Sequence, residues 1–380
     1  MSDLMRKAQV QAFVGDAYRT IDAPTRAGAA GYTNAQLADL PAGAVAWSLG
    51  LGNPLAHADL RLGDVVLDVG CGAGIDTLLA ARRVGDDGIV VGLDLVGEMC
   101  ERARAYAREA GIGNVMFVQG EMEAIPLPDG SIDAIISNGV INLSPRKMRA
   151  LFECARVLRP AGRICVTDMI IDEQELPVEV LTHPAAWSGC VSGAMAERTL
   201  LRSLGRVGLV NVTVHERRAV GIADCARYPL FSSELLAVMR RTIPPDRQDR
   251  FAGSITVSAR KAAASPHSTS GAGAYEDIAS VGRGNKAPPG DVLQGMSEAL
   301  PTDEHLPTFD AGDRHCGDGV GRDLRDWWAM LPPGTRTSVV VRDPSTRSDV
   351  PALARMLGHT IEHSRDIDGG LRLTVRTKGS

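Results

Sequence analysis

Hydrophobic side chains recur along the chain in two alternating rhythms. Short apolar runs, Val65-Val66-Leu67-Asp68-Val69 ended by Gly70 and Gly88-Ile-Val-Val-Gly-Leu-Asp94, have the length and content of strands buried on both faces. Residues 115–118, 134–137 and 163–167 continue that series. Between these runs the spacing changes. Residues 75–83 read as a helix, and Met99, Ala103, Tyr106, Ala107 and Ala110 share one helix face that Gly111 closes. Met148, Leu151, Phe152 and Ala155 mark a further helix. Strand and helix in strict rotation predict an α/β fold, an open and mostly parallel sheet with helices on both faces.

Composition refines the picture only in part. Of 380 residues, 44% are hydrophobic and 23% charged, the balance of a globular protein rather than a disordered or fibrous one. No apolar run approaches the roughly 20 residues that cross a bilayer, and the first residues lack an apolar signal core. The expectation is a cytoplasmic protein without a membrane partner. Forty-one basic residues against 46 acidic ones leave a net charge of −5, which argues against nucleic acid as a partner. Residues 263–303, rich in Ala, Ser, Gly and Pro, read as a flexible linker between a body (1–262) and a module (304–380).

The chemistry concentrates in Val66-Leu-Asp-Val-Gly-Cys-Gly-Ala-Gly74. Glycines at 70, 72 and 74, after a strand and before a helix, let the backbone pass close to a ligand. Asp68 sits within the apolar strand, where an unpaired carboxylate is costly. Asp94 ends the next strand, where an acid can accept both hydroxyls of a ribose. The dinucleotide pattern Gly-x-Gly-x-x-Gly is not met, and the observed spacing suits a nucleoside without a pyrophosphate.

This set resembles the S-adenosylmethionine-dependent methyltransferases of the Rossmann-like class I. The resemblance implies S-adenosyl-L-methionine as cofactor, with the glycine loop at its methionine part, Asp94 at its ribose and Glu121-Met122 on the adenine side. Leu49-Gly-Leu-Gly-Asn-Pro-Leu55, Val115-Met-Phe-Val-Gln-Gly-Glu-Met-Glu-Ala-Ile-Pro126, Ile136-Ser-Asn-Gly-Val-Ile-Asn-Leu-Ser144 and Gly189-Cys-Val-Ser-Gly-Ala194 narrow it. These stretches look like the arsenite methyltransferase family from about residue 15 to 262, and that family brings Tyr18 towards the cofactor. The candidate cofactor-binding residues are thus Tyr18, Asp68, Gly70, Gly72, Gly74, Asp94, Met99, Glu121, Met122 and Ser137.

The reaction so implied is methyl transfer to trivalent arsenic held by thiolates, typically three. Leu51 and Gly139 stand where that family usually has cysteines, so Cys190 remains, with Cys225 as the candidate second ligand and glutathione or another thiol as the source of further sulfur. Cys190, in a loop of small residues, lacks the apolar context of a core cysteine, whereas Cys100, Cys154 and Cys165 read as core and Cys71 as a small residue of the turn. Seven cysteines with no Cys-x-x-Cys fit neither a disulfide frame nor a zinc ribbon, and no metal site is expected. Two alternatives stay open: a methyltransferase for another small sulfur- or selenium-containing acceptor, and a non-catalytic sulfur-relay protein.

Residues 304–380 carry a second resemblance. Phe309-Asp-Ala-Gly-Asp-Arg-His-Cys-Gly317, a helix with Leu324, Trp327, Trp328 and Leu331, and the strand Ser338-Val-Val-Val-Arg342 are similar to the TusA-type sulfur carriers. This implies a small α+β two-layer sandwich in the order β-α-β-α-β-β, with a persulfide-bearing cysteine, here Cys316, opening the first helix. The carriers' Cys-Pro-x-Pro is replaced by Cys-Gly-Asp-Gly, and Asp318 sets a negative charge close to the sulfur.

Overall fold

The structure, a computed structural model, describes residues 2–21, 29–171, 176–263, 306–314 and 320–378. The chain opens with the long helix α1 (Ser2–Arg19) and two short ones, α2 (Asn34–Leu37), whose Thr33 and Gln36 form a capping box, and α3 (Ala42–Ala46). The apolar runs then form β1 (Val65–Val69), β2 (Ile89–Asp94), β3 (Val115–Gln119) and β4 (Ile132–Asn138). Between them lie α4 (Ile75–Val84) and α5 (Gly97–Glu109). After β4 come α6 (Lys147–Val157) and β5 (Leu158–Ile170), which is longer at both ends than the apolar core at 163–167 suggested.

The next stretch is mainly helical: α7 (Val178–Leu181), α8 (Pro184–Ser188) and α9 (Glu197–Arg206) lead to β6 (Leu209–Val220), then α10 (Ile222–Cys225) and α11 (Ser233–Thr242) to β7 (Ala252–Lys261). The seven strands form one sheet in the order β3-β2-β1-β4-β5-β7-β6. The first five are parallel, and β7 pairs antiparallel with both β5 and β6. This is the Rossmann-like fold that the alternating pattern predicts, extended by two antiparallel strands.

Alternation along each strand divides the core. Val66, Val90, Ala134 and Ile136 face α4 and α5 together with Leu78, Ala103 and Ala107. Leu67, Val69, Val91 and Ile135 pack on the other side with Leu151, Val157 and Leu204 of α6 and α9. Cys100, Cys154 and Cys165 are buried within these layers. The strand order reverses between β1 and β4, which opens a crevice at their carboxyl ends, where ligands of such sheets bind.

The C-terminal part forms its own four-stranded sheet. It runs β8 (Thr308–Asp310), α12 (Val320–Ala329), β9 (Arg336–Val341), α13 (Pro344–Met356), β10 (Thr360–Ile367) and β11 (Gly370–Arg376), with strand order β10-β11-β9-β8. Leu324, Trp328, Val339, Val341, Leu353, Leu373 and Val375 are buried in its core. Helix α13 lies against the edge strand β3, where buried Arg104 donates to Asp349 at 3.4 Å. Nearly all of the expected linker, and Cys316 itself, lie outside the described residues.

Candidate functional site

At the end of β1 the chain turns through residues 70–74 into α4. Gly70 has φ +75°, and a Cβ there would run into Val140. Gly72 has φ +51°, and a Cβ there would meet nothing within 4 Å. The backbone is thus bare on one side and tightly packed on the other. The Gly72 amide donates to Asp94 Oδ2 at 2.8 Å and the Val96 amide to Asp94 Oδ1 at 2.9 Å, which fixes the carboxylate at the end of β2. Burial raises the Asp94 pKa, opposed by these amide hydrogen bonds.

Around this turn lies a large cavity open to solvent. Its wall takes Gly70, Cys71 and Gly72 from the loop, Asp94 and Met99 from β2 and α5, Glu121 and Met122 after β3, Asn138 and Gly139 at the end of β4, and Gln11, Val14 and Tyr18 from α1. Seven of the ten candidate cofactor residues (Tyr18, Gly70, Gly72, Asp94, Met99, Glu121 and Met122) therefore meet in one place. The other three lie behind the wall. Gly74 caps α4 and packs on Ala103, and Ser137 Oγ donates to the Val69 carbonyl at 3.0 Å. Asp68 is fully buried and accepts from Thr77 Oγ1 at 2.6 Å; burial pushes its pKa up to about 7, with the Thr77 hydrogen bond opposing.

Several wall residues were not singled out by sequence. Asn138 uses its whole amide: Oδ1 accepts from the Leu51 and Gly52 amides at 2.8 and 3.2 Å, while Nδ2 donates to the Gly52 carbonyl at 2.7 Å and to Asp76 Oδ2 at 3.0 Å. It thereby pins the segment at 50–52 against β4. Asp76, also in the wall, looks in sequence like any acid in a first helical turn. Trp47, with the Arg102 guanidinium 3.8 Å from its ring centroid, gives no signal in a single sequence.

A second, smaller cavity shares Tyr18, Leu49 and Gly139 with the first. Cys190 and Cys225 both line it, amid Leu51, Met169, Val220, Tyr228 and Phe231. The expectation that Cys190 lacks apolar surroundings is corrected here: the loop folds back so that Cys190 is 4% exposed within an apolar cluster. Its backbone has φ +63°, and its thiol donates to the Gly139 carbonyl at 3.2 Å. Burial and then the negative charge of Asp168 push the Cys190 thiol well up; burial and then Asp224 push Cys225 up to about 12. Both thiols are protonated at neutral pH. Leu51 and Gly139 are neighbours, since a Cβ on Gly139 would lie 3.4 Å from Leu51 Cγ. The tyrosine hydroxyls are engaged, Tyr18 donating to the Ser188 carbonyl at 3.3 Å and Tyr228 to that of Gly50 at 3.0 Å. Among the described residues no group of three or more His, Cys, Asp or Glu is arranged to hold a metal ion.

Sheet, glycine turn and cavity together define a Rossmann-like methyltransferase fold, and residues 60–211 match the family model described as a methyltransferase domain. The chain is similar to the arsenite methyltransferase of Halobacterium salinarum, 40% identical over 44% of this chain and 42% of that protein. It is also similar to a ubiquinone/menaquinone biosynthesis C-methyltransferase of a Marinomonas species, 38% identical over 33% of this chain and 51% of that one. Among solved structures, an arsenic(III) S-adenosylmethionine methyltransferase from Chlamydomonas reinhardtii is 32% identical, with 62% of this chain and 74% of that chain covered and a TM-score of 0.48. The chain spans between about two-fifths and one-half of the length of the curated relatives it matches. The domain implies S-adenosylmethionine as cofactor. The residues present fit it: a turn whose Gly72 leaves its backbone open, a fixed carboxylate beside it and a cavity lined by both. No helix among the described residues is long and apolar enough to cross a membrane.

Proposed function

We propose that the protein is an S-adenosylmethionine-dependent methyltransferase whose acceptor is trivalent arsenic, as arsenite or methylarsenite, held by Cys190 and Cys225. The observation that carries this reading is the small cavity with both thiols in its wall, which shares Tyr18, Leu49 and Gly139 with the large one. The relatives named arsenite methyltransferases support the acceptor.

The chemistry suits protonated, buried thiols. Each arsenic-bound hydroxyl leaves as water with the thiol proton as an arsenic–sulfur bond forms, so two thiols condense with arsenite without an added base. Glutathione or another small thiol supplies a third sulfur where the family has cysteines at the positions of Leu51 and Gly139. Bound S-adenosylmethionine supplies an electrophilic methyl group. The arsenic lone pair needs no deprotonation, so the chain's tasks are to align donor and acceptor and to exclude water. Tyr18 and Leu49, in the walls of both cavities, line the boundary across which the two must meet. The six cysteines among the described residues are all free thiols, which supports work in a reducing, cytoplasmic compartment.

The test follows methylarsenical formation with arsenite, glutathione and methyl-labelled cofactor. Turnover should appear in the unaltered protein and be abolished in Cys190→Ser and Cys225→Ser, with cofactor affinity unchanged by calorimetry. Cofactor binding without arsenite turnover would eliminate arsenic in favour of another small soft acceptor. For the C-terminal module, the order β-α-β-α-β-β supports a TusA-type sulfur-carrier reading, with Cys316 as the carrier thiol. Trapping a persulfide on that residue would test it.

A further inference from the structure

Of the buried carboxylates away from the large cavity, Asp64 pairs with Arg163 and Glu153 with Arg149 and Arg156, while Asp68 and Asp168 accept from neutral donors of their own neighbourhood. Asp76 differs. It is 6% exposed, it lines the large cavity, and it makes no ion pair among the described residues. One oxygen accepts from the Tyr32 hydroxyl and the other from Asn138 Nδ2 at 3.0 Å. Both donors are neutral, and each oxygen keeps a lone pair. Burial raises the Asp76 pKa to about 7, with the Asn138 hydrogen bond opposing. A desolvated carboxylate in this state gains from any cation brought to it.

Of the other acids in the wall, Asp94 accepts two backbone amides, Glu123 accepts from Ser144 Oγ at 2.6 Å, and Glu121 and Glu123 lie after β3, away from the turn into α4; Asp68 and Asp168 do not line the cavity. Asp94 and Asp76 lie on either side of the glycine turn, one joined to the Gly72 amide and the other held by Asn138 beside the segment at 50–52. If Asp94 takes the sugar, Asp76 stands at the amino-acid end.

We propose that Asp76 receives the α-ammonium group of the cofactor's methionine portion. This rests on the S-adenosylmethionine reading of the large cavity. An ammonium offers N–H donors to the two unused lone pairs, and its compact charge matches a carboxylate. A sulfonium has no hydrogen to donate, and it must lie towards Tyr18 and Leu49 to reach the second cavity, which Asp76 does not line. Tyr32, outside the cavity lining, and Asn138, within it, hold the carboxylate in place.

Calorimetry on the full chain tests this with S-adenosylmethionine, S-adenosylhomocysteine and 5′-methylthioadenosine, the last lacking the amino-acid portion. Asp76→Asn should weaken the first two by roughly tenfold or more and leave the third within about twofold. Tyr32→Phe should give a smaller loss with the same selectivity. Equal weakening of all three would make Asp76 a merely structural part of the wall and overturn the assignment. So would no weakening of any, or a loss confined to S-adenosylmethionine, which would move the contact to the sulfonium. Failure of the unaltered protein to bind all three would instead overturn the cofactor reading itself.

Discussion

Single carboxyl groups set the electrostatics of the site, and Asp68 gives the clearest consequence. Its pKa stands at about 7 in the folded protein against an ordinary 3.8. The folded state therefore holds the proton more tightly than the unfolded one. The stability from that proton is complete below the ordinary value and is lost as pH rises through about 7. Asp68→Asn removes the dependence. Its melting temperature should match the unaltered protein near about pH 4 and exceed it at about pH 8, and a difference that stays constant across this range would refute the assignment. At this scale the sequence was partly readable. A carboxylate inside an apolar strand announces itself, and so does an acid at a strand end beside a glycine turn. Asp76 does not, because acids are ordinary in first helical turns; its burial and lack of a cation depend on Tyr32 and Asn138, which lie 44 and 62 residues away.

Among elements, the turn from β1 to α4 separates folding from binding within three residues. Gly70→Ala combines a left-handed backbone with a clash against Val140, so it should destabilise the fold by about 1–3 kcal/mol in denaturant titrations. Gly72→Ala places its methyl in open space and should chiefly weaken cofactor binding by calorimetry, with a smaller stability loss. Comparable loss of stability in both would contradict this division. The five parallel strands were legible because burial on both faces leaves nearly unbroken apolar runs. Strand β6 was not: it is an edge strand, and Asn211, Glu216, Arg217 and Arg218 along it are exposed, so the run dissolves into polar sequence. The surroundings of Cys190 were misread for a related reason. Small residues flank it in sequence, and its apolar neighbours arrive from β5, α10 and the loop before α11.

In the whole molecule, α13 covers β3 and so removes one exposed edge of the seven-stranded sheet. The contact joins positions 245 residues apart, which no local pattern could reveal. Asp349→Ala removes a carboxylate partner of buried Arg104, and should cost about 1–3 kcal/mol in denaturant titrations while sparing cofactor affinity. Unaltered stability would mean that apolar packing alone seats the module. Helix α1 works at the opposite end of the same scale. Its Tyr18 borders both cavities and is tied to α8 through Ser188, and Gln11 and Val14 border the larger one. The two cavities thus share one helix as a common wall, so a substitution that displaced Tyr18 would disturb both together.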